Sequence, residues 1–387
     1  MFGSDDFLPD DFDIETYFAN EEKCDEIDQL MQLALDCNAE FQYAKAERFC
    51  QRAAELAELL NDVSRLIRAR FWLATMQRMQ GKRKEALGVF TWLIEVAYDP
   101  VLSCNLTEDD LWFVDGGFRN FVEVGRFLPE MRVVDLERVV DRGLAWLSSI
   151  SRRNWEAGLR LQRGMLWKSQ NRKEAALEEM EAALALRRRN VNGPGFMLEA
   201  HLWQTADLLQ DLKKLGDATK YYQEVTQNCE SNRDEQCRAW RGLGQVASKQ
   251  ENWAEAERCM LKALEIAGSI ESPSPMCAAY NALGDVYLQQ KQITQAINTK
   301  IQALHFVRQM EEPEAFYLIY RDFAEIRLHQ LKQGNSQRFI PKVKRWLHRA
   351  LPLAVRLDRQ VNSSDRQTEI RALQAECEAV LAGKSIS

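Results

Sequence analysis

The sequence predicts an all-α solenoid of about eight helix-turn-helix repeats closed by a C-terminal capping helix. Three observations predict it. Apolar and small residues recur three and four apart along most of the 387 residues, which is the period of one helix face. A small residue opening the second helix of each unit returns as Ala46, Ala86, Ala176, Ala218, Ala256 and Ala296, at intervals of 40, 90, 42, 38 and 40. Pro100, Pro194, Pro273, Pro275 and Pro313 fall between the units so defined, where helices must end. A fixed period of this length marks stacked hairpins, because one hairpin cannot bury its apolar face alone.

The clearest unit is Cys237 to Gly268. Trp240, Leu243, Gly244 and Ala247 share one face of a first helix, and Ala256, Met260 and Ala263 share one face of a second. Lys249 to Asn252 is the polar break between them. Gly244 and Ala256 are small where large residues would fill a core, so they mark the place where the two backbones approach closely. The 90-residue interval holds two units, one of them divergent, between Asp109 and Ile150. There Leu111, Phe113, Gly117 and Phe121 predict a first helix, and Val134 to Leu147 a second, with Pro129 at the turn. An eighth hairpin is expected from Glu314 to Arg359, its second helix starting near Pro341. Pro352 is expected to kink that helix or end it early. Residues 364–382 predict one more amphipathic helix, with Ile370, Leu373, Cys377 and Val380 on one face and Ser364 or Asp365 as cap, suited to covering the last repeat.

Bulk properties exclude several classes. No run of 18 apolar residues offers a membrane span. The acidic N-terminus lacks a basic-then-apolar leader, so the cytoplasm is the expected compartment. Nine cysteines without a C-x2-C pair, with four separated histidines, predict packing thiols and no metal site. The net charge of −7 is uneven: residues 1–30 hold eleven acids and one lysine, leaving +3 on residues 31–387. No nucleic-acid binder is expected from that balance.

Residues 1–23 read as an acidic, aromatic-rich flexible tail, residues 24–359 as the repeat domain, and residues 360–387 as the capping helix and a frayed end. In the tail, Phe7, Leu8, Phe12, Tyr17 and Phe18 are interleaved with acids. Two readings stand open: a solvating leader, or a short motif whose aromatics enter a groove. Self-docking of this tail, on the groove or on the basic segment Arg338 to Arg359, follows from the second reading.

The pattern W-x2-L-G-x2-A-x8-A-x6-A of the clearest unit, and Ala279-Tyr-Asn-Ala-Leu-Gly-Asp-Val-Tyr287 in the next, resemble the tetratricopeptide repeat. A period near 40 rather than 34 resembles its long-helix subgroup, which includes LGN-type and kinesin-light-chain-type adaptors and bacterial Rap-type receptors. The resemblance covers about residues 27–359. It implies a right-handed superhelix whose first helices line a concave groove, and a non-catalytic protein-interaction scaffold that holds an extended peptide or protein partner without a cofactor. By that placement Arg238, Arg241 and Gln245 face the groove, with Trp203 and Asp207 in the preceding repeat and Asn281 and Asp285 in the following one. Met165 and Lys168, Arg68, Phe71, Thr75 and Arg78, and Leu318 and Asp322 extend the set. Asn281 and Gln245 are expected to hold a peptide main chain, and Arg238, Arg241, Asp207 and Asp285 to select charge. The rival reading is a receptor whose tail fills its own groove until displaced. A third places an enzyme site in the divergent unit. Gly242-Leu-Gly244-Gln-Val-Ala247 matches a dinucleotide fingerprint, but it is predicted mid-helix with no strand before it.

Overall fold

The computed structural model describes residues 14–40, 42–128, 130–189, 198–228, 232–270, 273–310, 313–332, 339–360 and 365–381. Among these, the secondary structure is helical, with no strand. The helices are α1 (Ile14–Ala39), α2 (Tyr43–Leu59), α3 (Val63–Met79), α4 (Arg83–Val96), α5 (Glu108–Gly125), α6 (Val133–Ser149), α7 (Ala157–Ser169), α8 (Lys173–Arg189) and α9 (Leu198–Asp211). They continue as α10 (Leu215–Asn228), α11 (Arg233–Lys249), α12 (Trp253–Gly268), α13 (Pro273–Gln289), α14 (Ile293–Met310), α15 (Pro313–Lys332), α16 (Ile340–Gln360) and α17 (Asp365–Leu381). Taken two at a time they give eight hairpins, and α17 stands last. The chain divides into two compact units, residues 1–162 and 163–387, where the sequence suggested one array from 24 to 359.

The register residues are where the period placed them. Ala46, Ala86, Ala176, Ala218, Ala256 and Ala296 are all 0% exposed. A side chain added at Gly244 would begin 3.2 Å from the Ala256 carbonyl oxygen, so the first helix crosses the second over that alanine. Gly164 meets the Ala176 oxygen in the same way, at 3.1 Å. Each register alanine is followed at four residues by the side chain that fills the hairpin: Cys50, Phe90, Met180, Tyr222, Met260 and Lys300, all buried.

Five hairpin turns share one backbone. Gly81, Asn171, Lys213, Glu251 and Lys291 all have φ near +60° to +77°. In each, the next residue's N–H returns to a carbonyl five residues back, as Asn252 does to Ala247 at 2.9 Å and Gln292 to Tyr287 at 2.8 Å. This left-handed ending satisfies carbonyls that the helix end leaves open. Helix starts are capped by side chains: Asp62 accepts from Arg65 N, Asn232 from Glu235 N and Asn252 from Glu255 N.

The divergent unit of residues 1–162 is a true hairpin, α5 and α6, opened by a capping box between Thr107 and Asp110. It departs from the pattern because its small and large partners are exchanged. Leu136 stands where the other repeats have alanine and packs against Gly125, while Gly143 receives Leu159 and Phe118. Pro129 lies outside the described residues.

Several expectations are corrected. Helix α1 begins at Ile14, so the segment assigned to a flexible tail is helical from there to Lys23. Helix α16 runs through Pro352 to Gln360 and does not end early. Pro273 and Pro313 open α13 and α15 rather than closing the helices before them, since a first-turn proline has no N–H to lose. The α17 face is as predicted, with Ile370 and Cys377 buried and Leu373 and Val380 packed beside them. Its first turn is held by Asp358 of α16, which accepts from Arg366 N and Gln367 N at 3.3 and 2.9 Å. Cys37, Cys50, Cys237, Cys259, Cys277 and Cys377 are buried and in no disulfide, as packing cysteines should be.

Candidate functional site

Two adjoining pockets lie along α9, α11 and α13 in the unit of residues 163–387. The first, ≈ 210 Å³, is lined by Lys168, Trp203, Asp207, Gln210, Asp211, Arg238, Arg241, Gly242 and Gln245. The second, ≈ 500 Å³, has Gln210, Gln245, Ser248, Lys249, Asp285 and Gln289 around Trp253, Met260, Ala282 and Val286. Gln210 and Gln245 belong to both, so the two form one groove. The first helix of each hairpin supplies nearly all of its polar residues, because these face away from the register alanines.

The predicted set separates on inspection. Arg238, Arg241, Gln245, Trp203 and Asp207 meet in the first pocket, and Gln245 and Asp285 in the second. Arg238 lies 5.3 Å over the Trp203 ring and pairs with Asp234 at 2.9 Å. Asp207 accepts a short hydrogen bond from the Tyr222 hydroxyl, and burial raises its carboxyl pKa against that bond and the nearby Lys168 and Arg241. Tyr222 reaches it past Gly242, whose missing side chain leaves room for the ring.

Asn281 is not among the lining residues of either pocket. Its Oδ1 accepts from Lys300 Nζ at 2.8 Å, and Asp285 Oδ1 accepts from the same nitrogen at 2.6 Å. The expected main-chain clamp at Asn281 is therefore engaged within the fold. Asp322, also expected in the groove, is 4% exposed and closes on Lys300 from α15. In that repeat the residues forty beyond Asn281 and Asp285 are Arg321 and Glu325. In the other unit, Phe71 is buried among Trp112, Phe113 and Phe90 at 5.7, 5.2 and 6.3 Å, not in a groove. Arg68 closes on Asp28, and Arg78 pairs with Glu123 at 2.6 Å. Phe7, Leu8 and Phe12 lie outside the described residues. Tyr17 and Phe18 fall on α1, their side chains outside them as well.

Lys300 and Gln210 are the residues the sequence reading missed. Lys300 was visible as the one lysine in the position that Met180 and Met260 hold elsewhere. Gln210 carried no signal beyond its place on α9. Lys249 Nζ donates to Gln210 Oε1 at 2.8 Å, which fixes the amide orientation. Gln210 Nε2 is then a buried donor without an acceptor among the described residues.

Glu235 lies beside Arg238 on α11, 3.9 Å from its Nε, outside the lining of either pocket. Burial pushes its carboxyl up to about 7 from the ordinary 4.5, and Asp234 and Glu199 push the same way, while Arg238 and the Trp203 indole pull it back. A raised folded pKa means that the native state holds the proton more tightly than the unfolded chain. The stabilisation from this group is full below about pH 4.5 and is lost as pH climbs through 7. Glu235→Gln is expected to leave the melting temperature at pH 4 unchanged. At pH 8 it should raise stability by about 2 kcal/mol. Melting curves of parent and variant across that range check it, and equal shifts at both ends would count against the assignment.

Among the described residues no helix is long and apolar enough to cross a membrane. No group of three His, Cys, Asp or Glu side chains there is placed to hold a metal ion. Gly242 to Ala247 lies within α11, as expected for a packing segment.

This arrangement is that of a helical-repeat solenoid. The tetratricopeptide repeat family model matches residues 235–309, which span most of α11 through α14. Residues 235–309 carry tetratricopeptide repeats. No curated protein sequence matches it. Two solved structures are similar along nearly the whole chain. One is a Rap protein complexed with competence and sporulation factor, 12% identical, TM-score 0.52, covering 94% of this chain and 98% of that one. The other is the apo form of the quorum sensor NprR from B. thuringiensis, 12% identical, TM-score 0.52, covering 94% and 99%. At that identity the likeness is one of fold.

Proposed function

We propose that the chain is a non-catalytic protein-interaction scaffold that holds an extended segment of a partner protein along α9, α11 and α13. The observation that carries this is Gln210. A buried amide donor without an acceptor costs about 1–3 kcal/mol. This one sits where two pockets join, so a carbonyl oxygen laid across the junction would satisfy it. An extended peptide presents such an oxygen at every residue, and Gln245 across the junction offers both a donor and an acceptor. The titratable groups of the divergent hairpin serve its packing instead: Asp110 accepts from Ser64 and Thr107, and Asp115 from Arg119. The Rap protein complexed with a factor supports the general form of this reading, not its chemistry.

Panning a random displayed peptide library on the full chain tests it. Selected peptides should bind the parent and lose at least about tenfold on Gln245→Arg, which fills the junction from an exposed position. The variant should melt with the parent. Peptides that bind both proteins alike would place the interaction elsewhere.

A further inference from the structure

The two halves of the groove differ in chemistry, and the difference specifies the ligand. In the smaller pocket the cations are Lys168, Arg238 and Arg241, and the acids are Asp207 and Asp211. Lys168 pairs with Asp211 at 3.0 Å, and Arg238 with Asp234. Asp207 is taken by Tyr222. That leaves Arg241. It has no ion pair among the described residues, and its Nε is buried without an acceptor. Burial depresses its pKa, with Cys237 and Asp207 opposing. A guanidinium does not give up its proton in a protein, and the Arg241 side chain is half-buried, so its charge persists at the pocket wall where an anion can reach it.

The anion has to be small and singly charged. The pocket holds ≈ 210 Å³, and Asp207 and Asp211 on its wall repel a phosphate dianion more than a carboxylate. Guanidinium and carboxylate match in a planar, two-bond geometry. The pocket runs from Lys168 of α7 to Gln210 and Gln245, which it shares with the larger pocket. A side-chain carboxylate suits that position better than a chain end. The larger pocket has Trp253, Met260, Ala282 and Val286 as its apolar lining, which takes an aliphatic or aromatic side chain. Adjacent packed helices lie about 8–10 Å apart, and an extended chain advances about 3.3–3.6 Å per residue. The step from one pocket to the other is therefore about three residues.

We propose that the ligand is an extended peptide with an Asp or Glu side chain against Arg241 and, three residues away, an apolar side chain on Trp253 and Val286. This rests on the reading of the groove as a peptide site and names what that site selects.

The test uses N-acetylated, C-amidated twelve-residue peptides with one Glu and one Leu separated by one to six residues, titrated against the full chain by fluorescence polarisation. Binding should peak at a separation of three. Glu→Gln in the best peptide should weaken it about tenfold on the parent and hardly at all on Arg241→Gln. Leu→Ala should weaken binding to both proteins. Equal binding of the Glu and Gln peptides to the parent overturns the proposal while leaving the peptide groove intact. Restoration of the Gln peptide by a free C-terminal carboxylate overturns the choice of a side chain. If no peptide of the set binds and panning also fails, the groove reading falls with it.

Discussion

Methionine in place of Lys300 is expected to cost the second unit about 3 kcal/mol of stability. The repeat supplies the control, because methionine occupies the same position at Met180 and Met260. The Lys300 stem packs on Gly284 and its side chain is wholly buried, so methionine fills much the same space. What is lost is the charge. Nζ gathers Asn281 and Asp285 from α13 and Asp322 from α15. Without it, the buried Asp322 keeps Arg321, at 2.8 Å, as its one counter-charge among the described residues. Removing one partner of a buried pair costs far more than removing both, since the survivor stays desolvated. Lys300→Met with Asp322→Asn should therefore recover most of the loss. Hydrogen exchange across α13 to α15 reads both variants without assuming that the whole chain unfolds in one step. No recovery in the double variant would mean that the lysine acts through its shape.

Asp115→Ala should be comparably severe in the first unit, at about 3–5 kcal/mol. Asp115 is fully buried, and Arg119, one turn on, is 6% exposed with its Nε donating at 2.8 Å. The arginine stem fills the space beside Gly158. The alanine variant keeps that buried guanidinium and removes its carboxylate. Arg119→Met gives the opposite case. Burial already raises the Asp115 pKa, with Arg119 pulling it down, and losing Arg119 raises it further. A carboxyl with a raised folded pKa contributes its stability below the unfolded value of 3.8 and loses it as pH rises. The penalty of Arg119→Met should thus grow from pH 4 to pH 8, while that of Asp115→Ala should shrink, because the parent loses the Asp115 contribution over that range and the alanine variant has none to lose. Chemical denaturation at the two pH values separates them, and two flat profiles would refute the account.

The hairpins were legible because packing at a helix crossing constrains residue size, and size is written in the sequence. Gly244 over Ala256 is such a place, and the alanine register alone located the repeats. Even the divergent unit was visible from its spacing, though not the exchange of small and large at Gly125 and Leu136, which depends on what faces each residue. The groove was half legible. Arg241 and Gln245, placed by their position along α11, do line the pockets. Asn281 and Asp285 occupy the equivalent positions and both meet Lys300 from the next helix, which leaves Asp285 on the pocket wall and Asn281 off it. Nothing in a local pattern tells whether a polar residue faces solvent or a buried charge from another element. The helical start at Ile14 was hidden for a related reason: its acids and aromatics lack a clean helical face.

The shared turn at the hairpin tips has a consequence for how much heat the chain can be made to tolerate. Only Gly81 among the five left-handed residues at the hairpin tips is a glycine, and Asn61 and Ser151 adopt the same backbone between hairpins. A side chain there carries a penalty of about 1 kcal/mol that glycine avoids. Asn171, Lys213, Glu251 and Lys291 thus hold the molecule below the stability its own backbone permits. Thermal hardening can be carried out wholly at those four tips, without touching any residue that lines the groove.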